Sequence, residues 1–183
     1  AGIRAARLAV RAGAKVAIIE SASLGGTCVN LGCVPKKLLV NAASIASALS
    51  NAPYYGWRLP EESRFVWSKF VEQKNLYLTK LQSHYFKGLT SAGVRVINGK
   101  AEFISSQQLR VAHIDGSQSL INAEHTLLAT GGAPSLLSCD GSELAITSDD
   151  FFSLPKQPAH CTIVGSGYIA VEFASLLSKL GTE

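Results

Sequence analysis

Two cysteines in a glycine-rich stretch are the residues of this sequence best suited to chemistry. Cys28 and Cys33 stand between Gly25-Gly26 and Pro35-Lys36-Lys37. Two thiols with four residues between them can close a small ring if the chain turns back, and Gly32 supplies backbone freedom for that turn. The spacing therefore fits a reversible disulfide.

A helix is expected to start close to the second of these cysteines. The pattern predicts a start within residues 33–37, with Pro35 in the first turn, where proline is tolerated. Cys33 would then lie against free backbone N–H groups at the positive end of the helix, which favours the thiolate. Thiolate is the reactive form, so this position favours redox chemistry.

The residues alone leave two alternatives open, a zinc site and a pair of buried structural cysteines. Zinc needs two further ligands at suitable spacing, and the four histidines are scattered singly, at His84, His113, His125 and His160. We therefore predict no metal site. Cys139 and Cys161 match no redox pattern, and we expect them to be incidental or buried.

A second motif lies near the end of the sequence. Gly165, Gly167 and Ala170 form G-x-G-x-x-A between a predicted strand at 161–164 and a predicted helix at 168–180. The first glycine makes the turn, the second lets a pyrophosphate approach the backbone, and the alanine permits close helix packing. The motif predicts a nucleotide site, and a turn required only for packing is the alternative.

The beginning of the sequence repeats this pattern at an offset of 168 residues. Gly2 matches Ala170 and Gly13 matches Gly181. The strand and the two earlier glycines of the first copy would lie before residue 1. Glu20 ends the following strand, where an acid can hydrogen-bond ribose hydroxyls; a solvated acid at a strand end is the alternative.

Composition excludes several classes of protein. The chain has 183 residues, 47% of them hydrophobic and 16% charged, a balance that argues against disorder. No apolar run reaches the roughly 20 residues needed to span a bilayer. The net charge of +4 comes without a basic block, so neither nucleic acid nor membrane is predicted as a partner.

The elements that must position these residues follow from periodicity and turn signals. The expected fold class is α/β, with two Rossmann-like nucleotide-binding units of three layers, the second incomplete. Loops are predicted at 21–27, 51–64 and 131–158. The predicted helices are 3–12, 33–49, 70–89, 149–154 and 168–180, and the predicted strands are 15–20, 94–97, 101–104, 109–114, 126–129 and 161–164.

The cysteine stretch resembles the signature of the FAD-dependent pyridine nucleotide-disulfide oxidoreductases. The resemblance extends over essentially the whole chain, and the Pro35-Lys36-Lys37 ending is most similar to the glutathione reductase branch. The further matching motifs are Tyr54-Tyr55-Gly56-Trp57, Ala129-Thr130-Gly131-Gly132, Thr147-Ser148-Asp149 and Gly165-Ser166-Gly167-Tyr168-Ile169-Ala170-Val171-Glu172.

This resemblance implies a role for each catalytic residue. Cys28 would be the interchange thiol that attacks the substrate disulfide, and Cys33 the thiol against the flavin that forms the charge-transfer complex. Lys36 would pair with Glu172 beside the flavin N5, and Tyr168 would gate the nicotinamide pocket. The implied cofactors are FAD and NADPH, and the implied binding positions are Gly2, Glu20, Thr27, Cys28, Lys36, Ala101, Thr130, Gly131, Gly165, Gly167, Tyr168, Ile169 and Glu172.

The substrate side of the family matches at Arg7 and Tyr85. Glutathione disulfide carries several carboxylates, which arginine recognises well, whereas trypanothione has a cationic bridge. Arg4 and Arg7, one turn apart, therefore favour the anionic substrate, and two solvated arginines are the alternative.

The resemblance also implies a domain plan. Residues 1–130 would be an FAD-binding domain, 131–158 a connection, and 159–183 the start of an NAD(P)H-binding domain. The expected function is NADPH-dependent reduction of glutathione disulfide in a cytoplasmic homodimer, with organellar targeting left open. The alternatives are a trypanothione or thioredoxin-type reductase and a redox-silent FAD-binding module. The family's His-Glu pair lies outside this chain, so the chain alone is expected to be inactive.

Overall fold

The computed structural model describes residues 1–61 and 63–183, which form two units. Unit 1 contains residues 1–26 and 79–132, and unit 2 contains residues 27–78 and 133–183. Each unit is therefore built from two separate stretches of the chain.

Unit 1 contains a parallel pair of strands next to a helix. The helix α1 (Gly2–Arg11) precedes β1 (Ala17–Glu20), and β1 pairs in parallel with β2 (Arg95–Asn98), Ala17 opposite Arg95. Parallel strands need a long crossover connection, which the intervening chain provides. One apolar core cluster of this unit consists of Ala6, Leu24, Leu89 and Val94.

Unit 1 also holds an antiparallel three-stranded sheet in the order β3-β4-β5. These strands are β3 (Lys100–Ser105), β4 (Gln108–Ala112) and β5 (Gln118–Asn122). The predicted turn at Asp115-Gly116 joins β4 to β5, and Asp115 Oδ1 accepts the backbone N–H of Ser117 at 2.9 Å. The strand β5 was not predicted, because only two of its five residues are apolar.

Unit 2 is helical and packs around aromatic rings. Its helices are α2 (Gly26–Asn30), α3 (Cys33–Asn51), the first half of α4 (Trp67–Thr90), α5 (Ser148–Phe151) and α6 (Tyr168–Lys179). The first residue of α2, Gly26, is the last residue of the first stretch of unit 1. Phe151 stacks on Phe173 with ring centroids 4.2 Å apart. Leu39 of α3 lies fully buried in the same cluster, so side chains from α3, α5 and α6 share one core.

Two polar side chains of α4 reach the chain that follows α5. Trp67 Nε1 donates to the carbonyl oxygen of Leu154 at 2.8 Å, and Lys74 Nζ donates to that of Phe152 at 2.6 Å. Lys74 is only 5% exposed, and burial lowers its pKa. Each bond supplies a donor to a backbone carbonyl near the end of α5, where helix carbonyls have no partner within the helix.

Two predicted strands are wrong. Residues 126–129 and 161–164 form no strand, and within the described residues no strand ladder reaches them. A strand needs a hydrogen-bonded neighbour. Leu127, Leu128 and Val164 are each 68% exposed rather than buried, so apolar runs here did not predict pairing.

The region between α3 and α4 lies at the surface, as predicted. A 3₁₀ helix spans Ala52–Tyr55, and Tyr54, Tyr55 and Trp57 are exposed. Glu62, which belongs to this predicted excursion, lies outside the described residues. None of the helices within residues 1–61 and 63–183 has both the length and the apolar character needed to cross a membrane.

Candidate functional site

The two cysteines form a disulfide at the junction of two helices. Cys28 lies on the short helix α2, which was not among the predicted helices, and Cys33 is the first residue of α3. Their sulfurs are bonded, and their Cα atoms are 4.6 Å apart. A Cβ on Gly32 would stand 3.2 Å from the carbonyl oxygen of Thr27. The absence of a side chain at residue 32 therefore lets the chain turn tightly between the two cysteines.

The first turn of α3 brings positive charge towards the disulfide. Gly32 is the N-cap, and its carbonyl oxygen accepts the N–H of Lys36 at 2.9 Å. Lys36 follows Cys33 by three residues, a spacing that places both on one face of the helix. After reduction of the disulfide, the helix terminus and the ammonium group would both favour a thiolate at Cys33.

Lys36 also contacts the other predicted catalytic residue of unit 2. Its Nζ lies 3.0 Å from Oε1 of Glu172, which is on the second turn of α6. The side chains are 30% and 41% exposed, so water reaches the pair but does not surround it. The structure thus joins the start of α3 to α6 through a charge-assisted hydrogen bond.

The turn before α6 has the features of a phosphate-binding turn. Gly165 has φ of +134°, a value that side chains rarely adopt, and its missing Cβ would lie 3.8 Å from that of Ala170. Gly167 is the N-cap of α6, and a Cβ there would meet nothing within 4 Å. Open space therefore lies where an anion would approach the helix N-terminus.

The neighbouring residues of this turn face solvent. Tyr168 is 77% exposed and Ile169 is 41% exposed. Their placement leaves both accessible to a ligand at the start of α6.

Several predicted FAD-contacting positions lie in unit 1. A Cβ on Gly2 would stand 3.3 Å from that of Ala129, so α1 packs closely on the segment before Thr130 and Gly131. Glu20 ends β1, where its Oε1 accepts the N–H of Ala22 at 3.0 Å. Ala101 lies exposed on β3, whereas Thr27 lies on α2 in unit 2.

The two predicted substrate-binding residues also lie in unit 1. Tyr85 of α4 packs against the apolar core cluster of this unit. Arg7 of α1 extends its guanidinium over Gly88 of α4, one turn after Tyr85. Sequence reasoning missed Gly88, although a glycine inside an amphipathic helix is itself a signal of a close approach.

Two further features, the remaining cysteines and an apolar groove of unit 2, include none of the predicted site residues. Cys139 and Cys161 were expected to be incidental or buried; both are exposed thiols, so the expectation of burial is wrong. Within residues 1–61 and 63–183, no group of three His, Cys, Asp or Glu side chains is arranged to hold a metal ion. An apolar groove of about 720 Å³ in unit 2 is lined by residues that include Ile45, Leu49, Phe65 and Phe70.

Known proteins resemble this chain in sequence and in structure. Over 185 residues it is 41% identical to glutathione reductase of Schizosaccharomyces pombe, a match that covers all of this chain and 40% of the relative. It is 38% identical over 190 residues to glutathione reductase of Yarrowia lipolytica, again with all of this chain and 40% of the relative covered. The chain thus spans about 40% of the length of these curated relatives.

A solved structure shares the fold. The Cu(II) complex of HOCl-induced flavoprotein disulfide reductase RclA from Escherichia coli superposes with a TM-score of 0.82 at 30% identity, over all of this chain and 38% of that one. The family model described as "Pyridine nucleotide-disulphide oxidoreductase" matches residues 1–183. This family uses FAD and NAD(P)H and acts on disulfides. The chain belongs to the pyridine nucleotide-disulphide oxidoreductase family.

Proposed function

We propose that this chain is part of an enzyme that reduces glutathione disulfide to glutathione with NADPH, using FAD and the Cys28–Cys33 disulfide. The observation that carries the proposal is this disulfide at the start of α3, one turn from the Lys36–Glu172 pair. The two glutathione reductases that match the whole chain support the choice of substrate.

The residues present fit two nucleotides, one in each half of the sequence repeat. The open backbone at Gly167 and the free N–H groups of α6 suit the pyrophosphate of NADPH. The close packing of Gly2 and the carboxylate of Glu20 suit FAD. The domain plan proposed with these sites is 1–130 for FAD, 131–158 as a connection and 159–183 for the beginning of the NAD(P)H domain.

The bound flavin would supply the two-electron link between nicotinamide and thiol chemistry. The chain's own part begins when two electrons break the Cys28–Cys33 bond, leaving Cys28 as a thiolate able to attack. Lys36 would place its positive charge beside the flavin. Glu172, whose Oε1 lies 3.0 Å from Lys36 Nζ, would keep this ammonium group in position. Positioned charges of this kind act most strongly on states in which charge develops.

Thiol exchange then completes the proposed reaction. The thiolate of Cys28 attacks one sulfur of the substrate, forms a mixed disulfide and releases one glutathione thiolate, which takes a proton. The thiolate of Cys33 next attacks the sulfur of Cys28, releases the second glutathione and restores the intramolecular disulfide. In total, NADPH and one proton convert one disulfide to two thiols.

The chemistry of unit 1 favours an anionic disulfide. Arg7 presents a guanidinium, which binds carboxylates through paired hydrogen bonds, and Tyr85 presents a hydroxyl on the adjacent helix. Glutathione disulfide has carboxylates for such groups, whereas a cationic polyamine disulfide would be repelled. A homodimer in the cytoplasm is part of the same proposal and rests on the family relationship alone.

The proposal is tested on the complete gene product. NADPH oxidation and, separately, NADH oxidation are followed with glutathione disulfide, trypanothione disulfide and oxidised thioredoxin in turn. We expect turnover with NADPH and glutathione disulfide, and its loss in Cys28→Ala with FAD still bound. Turnover with trypanothione disulfide or oxidised thioredoxin, and none with glutathione disulfide, would assign that other disulfide as the substrate. Bound FAD without two-electron reduction of Cys28 and Cys33 would make the protein a redox-silent flavin module.

A further inference from the structure

Helix α4 contains a glycine at a position where helices disfavour it. Gly88 lies in the last turn of α4, which ends at Thr90, and is next to the fully buried Leu89. Glycine is the least favourable residue inside a helix apart from proline. Its φ is not positive, so the backbone does not require glycine here. The packing of a neighbouring side chain therefore remains as the reason for glycine at residue 88.

The guanidinium of Arg7 occupies the space beside this glycine. A Cβ on residue 88 would collide with Nη2 of Arg7 and lie 3.5 Å from its Cζ. The atom in the way is the far end of a flexible side chain, so α4 itself would not have to move. A side chain at residue 88 would displace the guanidinium and leave the helix intact.

The seated guanidinium is available to a ligand. Among the ion pairs in the described part of the chain, none includes Arg7. Gly88 follows Tyr85 by three residues, and side chains at that spacing share one helix face. Arg7 and the Tyr85 hydroxyl can therefore meet the same anionic group.

We propose that Gly88 is a positioning residue: its missing side chain seats Arg7 against α4 beside Tyr85, in the place where a carboxylate of the disulfide substrate binds. This inference rests on the proposed function and deepens it, because it names a residue that sets substrate recognition without touching substrate. A side chain at residue 88 weakens binding of carboxylate-bearing disulfides and leaves neutral disulfides unaffected.

The first test compares Gly88→Ala and Gly88→Leu with wild type in the complete, FAD-loaded protein. We expect KM for glutathione disulfide to rise roughly three- to tenfold in Gly88→Ala and further in Gly88→Leu, with kcat within about twofold, because a charge-assisted contact is weakened. The kcat/KM for bis(2-hydroxyethyl) disulfide, which is uncharged, stays unchanged. Ser83→Ala, an exposed substitution on the same helix, is the matched control and leaves both substrates unaffected.

A double-mutant cycle isolates the role of Arg7. If Gly88 acts through Arg7, then Gly88→Ala has no further effect on KM in an Arg7→Ala background. Additive effects of the two substitutions overturn the inference. So does an equal loss with the neutral disulfide, which would mean a general structural defect.

The activity of the wild-type protein distinguishes a failure of the Gly88 role from a failure of the proposed function. Wild-type turnover of glutathione disulfide with an unchanged KM in Gly88→Ala and Gly88→Leu overturns the positioning role alone. A wild-type protein that does not reduce glutathione disulfide overturns the proposed function and, with it, the role given to Gly88. Thermal unfolding of Gly88→Ala serves as the folding control, since alanine favours the helix and the midpoint should not fall.

Discussion

Replacing Glu172 with glutamine tests whether the Lys36–Glu172 pair serves stability or chemistry. The substitution keeps the shape of the side chain and removes its charge. At the observed 3.0 Å between Nζ and Oε1, the Coulomb energy is about 1.4 kcal/mol in water and about 5.5 kcal/mol at an effective dielectric constant of 20. Because the side chains are 30% and 41% exposed, screening and lost side-chain entropy keep the net contribution to about 1 kcal/mol or less.

The expected effect on electron transfer is larger than this effect on stability. If the pair lies beside the flavin, as proposed, removing one charge leaves Lys36 without the carboxylate that orients its ammonium group. We expect Glu172→Gln to lower the rate of NADPH-dependent flavin reduction more than about tenfold, measured by stopped flow. Urea unfolding of the same protein should show a loss of about 1 kcal/mol or less.

The chain offers a matched control pair. Lys69 and Glu72 are also 3.0 Å apart, but their side chains are 75% and 53% exposed on α4. Glu72→Gln should change neither flavin reduction nor, beyond about 0.5 kcal/mol, stability. The reasoning is refuted if Glu172→Gln reduces flavin at the wild-type rate, or if its rate loss is matched by Glu72→Gln.

Two further predictions concern the fold of unit 2. Leu39→Ala should lower the free energy of unfolding by about 2–5 kcal/mol, because Leu39 is fully buried; a loss below about 1 kcal/mol in urea unfolding would show that the core refills the space. Asp150 accepts hydrogen bonds from the N–H and hydroxyl of Thr147, which hold its pKa below the ordinary 3.8. A lowered carboxyl pKa stabilises the fold above the ordinary value, and that contribution is lost as pH falls through the folded value. The difference in thermal midpoint between wild type and Asp150→Asn should therefore be present at pH 6 and shrink below about pH 4; a difference that does not vary with pH would contradict this origin.

Elements with a strong local signal were predicted well. The start of α3 near Cys33 and the glycine turn before α6 were both expected, because helix periodicity and Gly165 act over only a few residues. The polar strand β5 was missed, and 126–129 was predicted as a strand, because strand pairing depends on a distant partner that a local pattern does not contain.

Contacts between distant segments were beyond prediction from spacing alone. Lys74 occurs in the apolar stripe of α4, yet nothing local indicates that its ammonium reaches the carbonyl of Phe152. The approach of Arg7 to Gly88 likewise depends on how α1 packs on α4. The Lys36–Glu172 pair was expected only through the family resemblance, since 136 residues separate the two in sequence.

The interleaved composition of the units has a consequence for synthesis on the ribosome. Residues 1–26 belong with 79–132, and within residues 1–61 and 63–183 the strand that pairs with β1 is β2, with Ala17 opposite Arg95. At typical translation rates, about 4–15 s pass between the two strands. During that interval the apolar side of α1 and β1 lacks the partners that residues 79–132 contribute, so this nascent segment offers a chaperone an apolar surface, and a truncation after residue 78 would remove those partners.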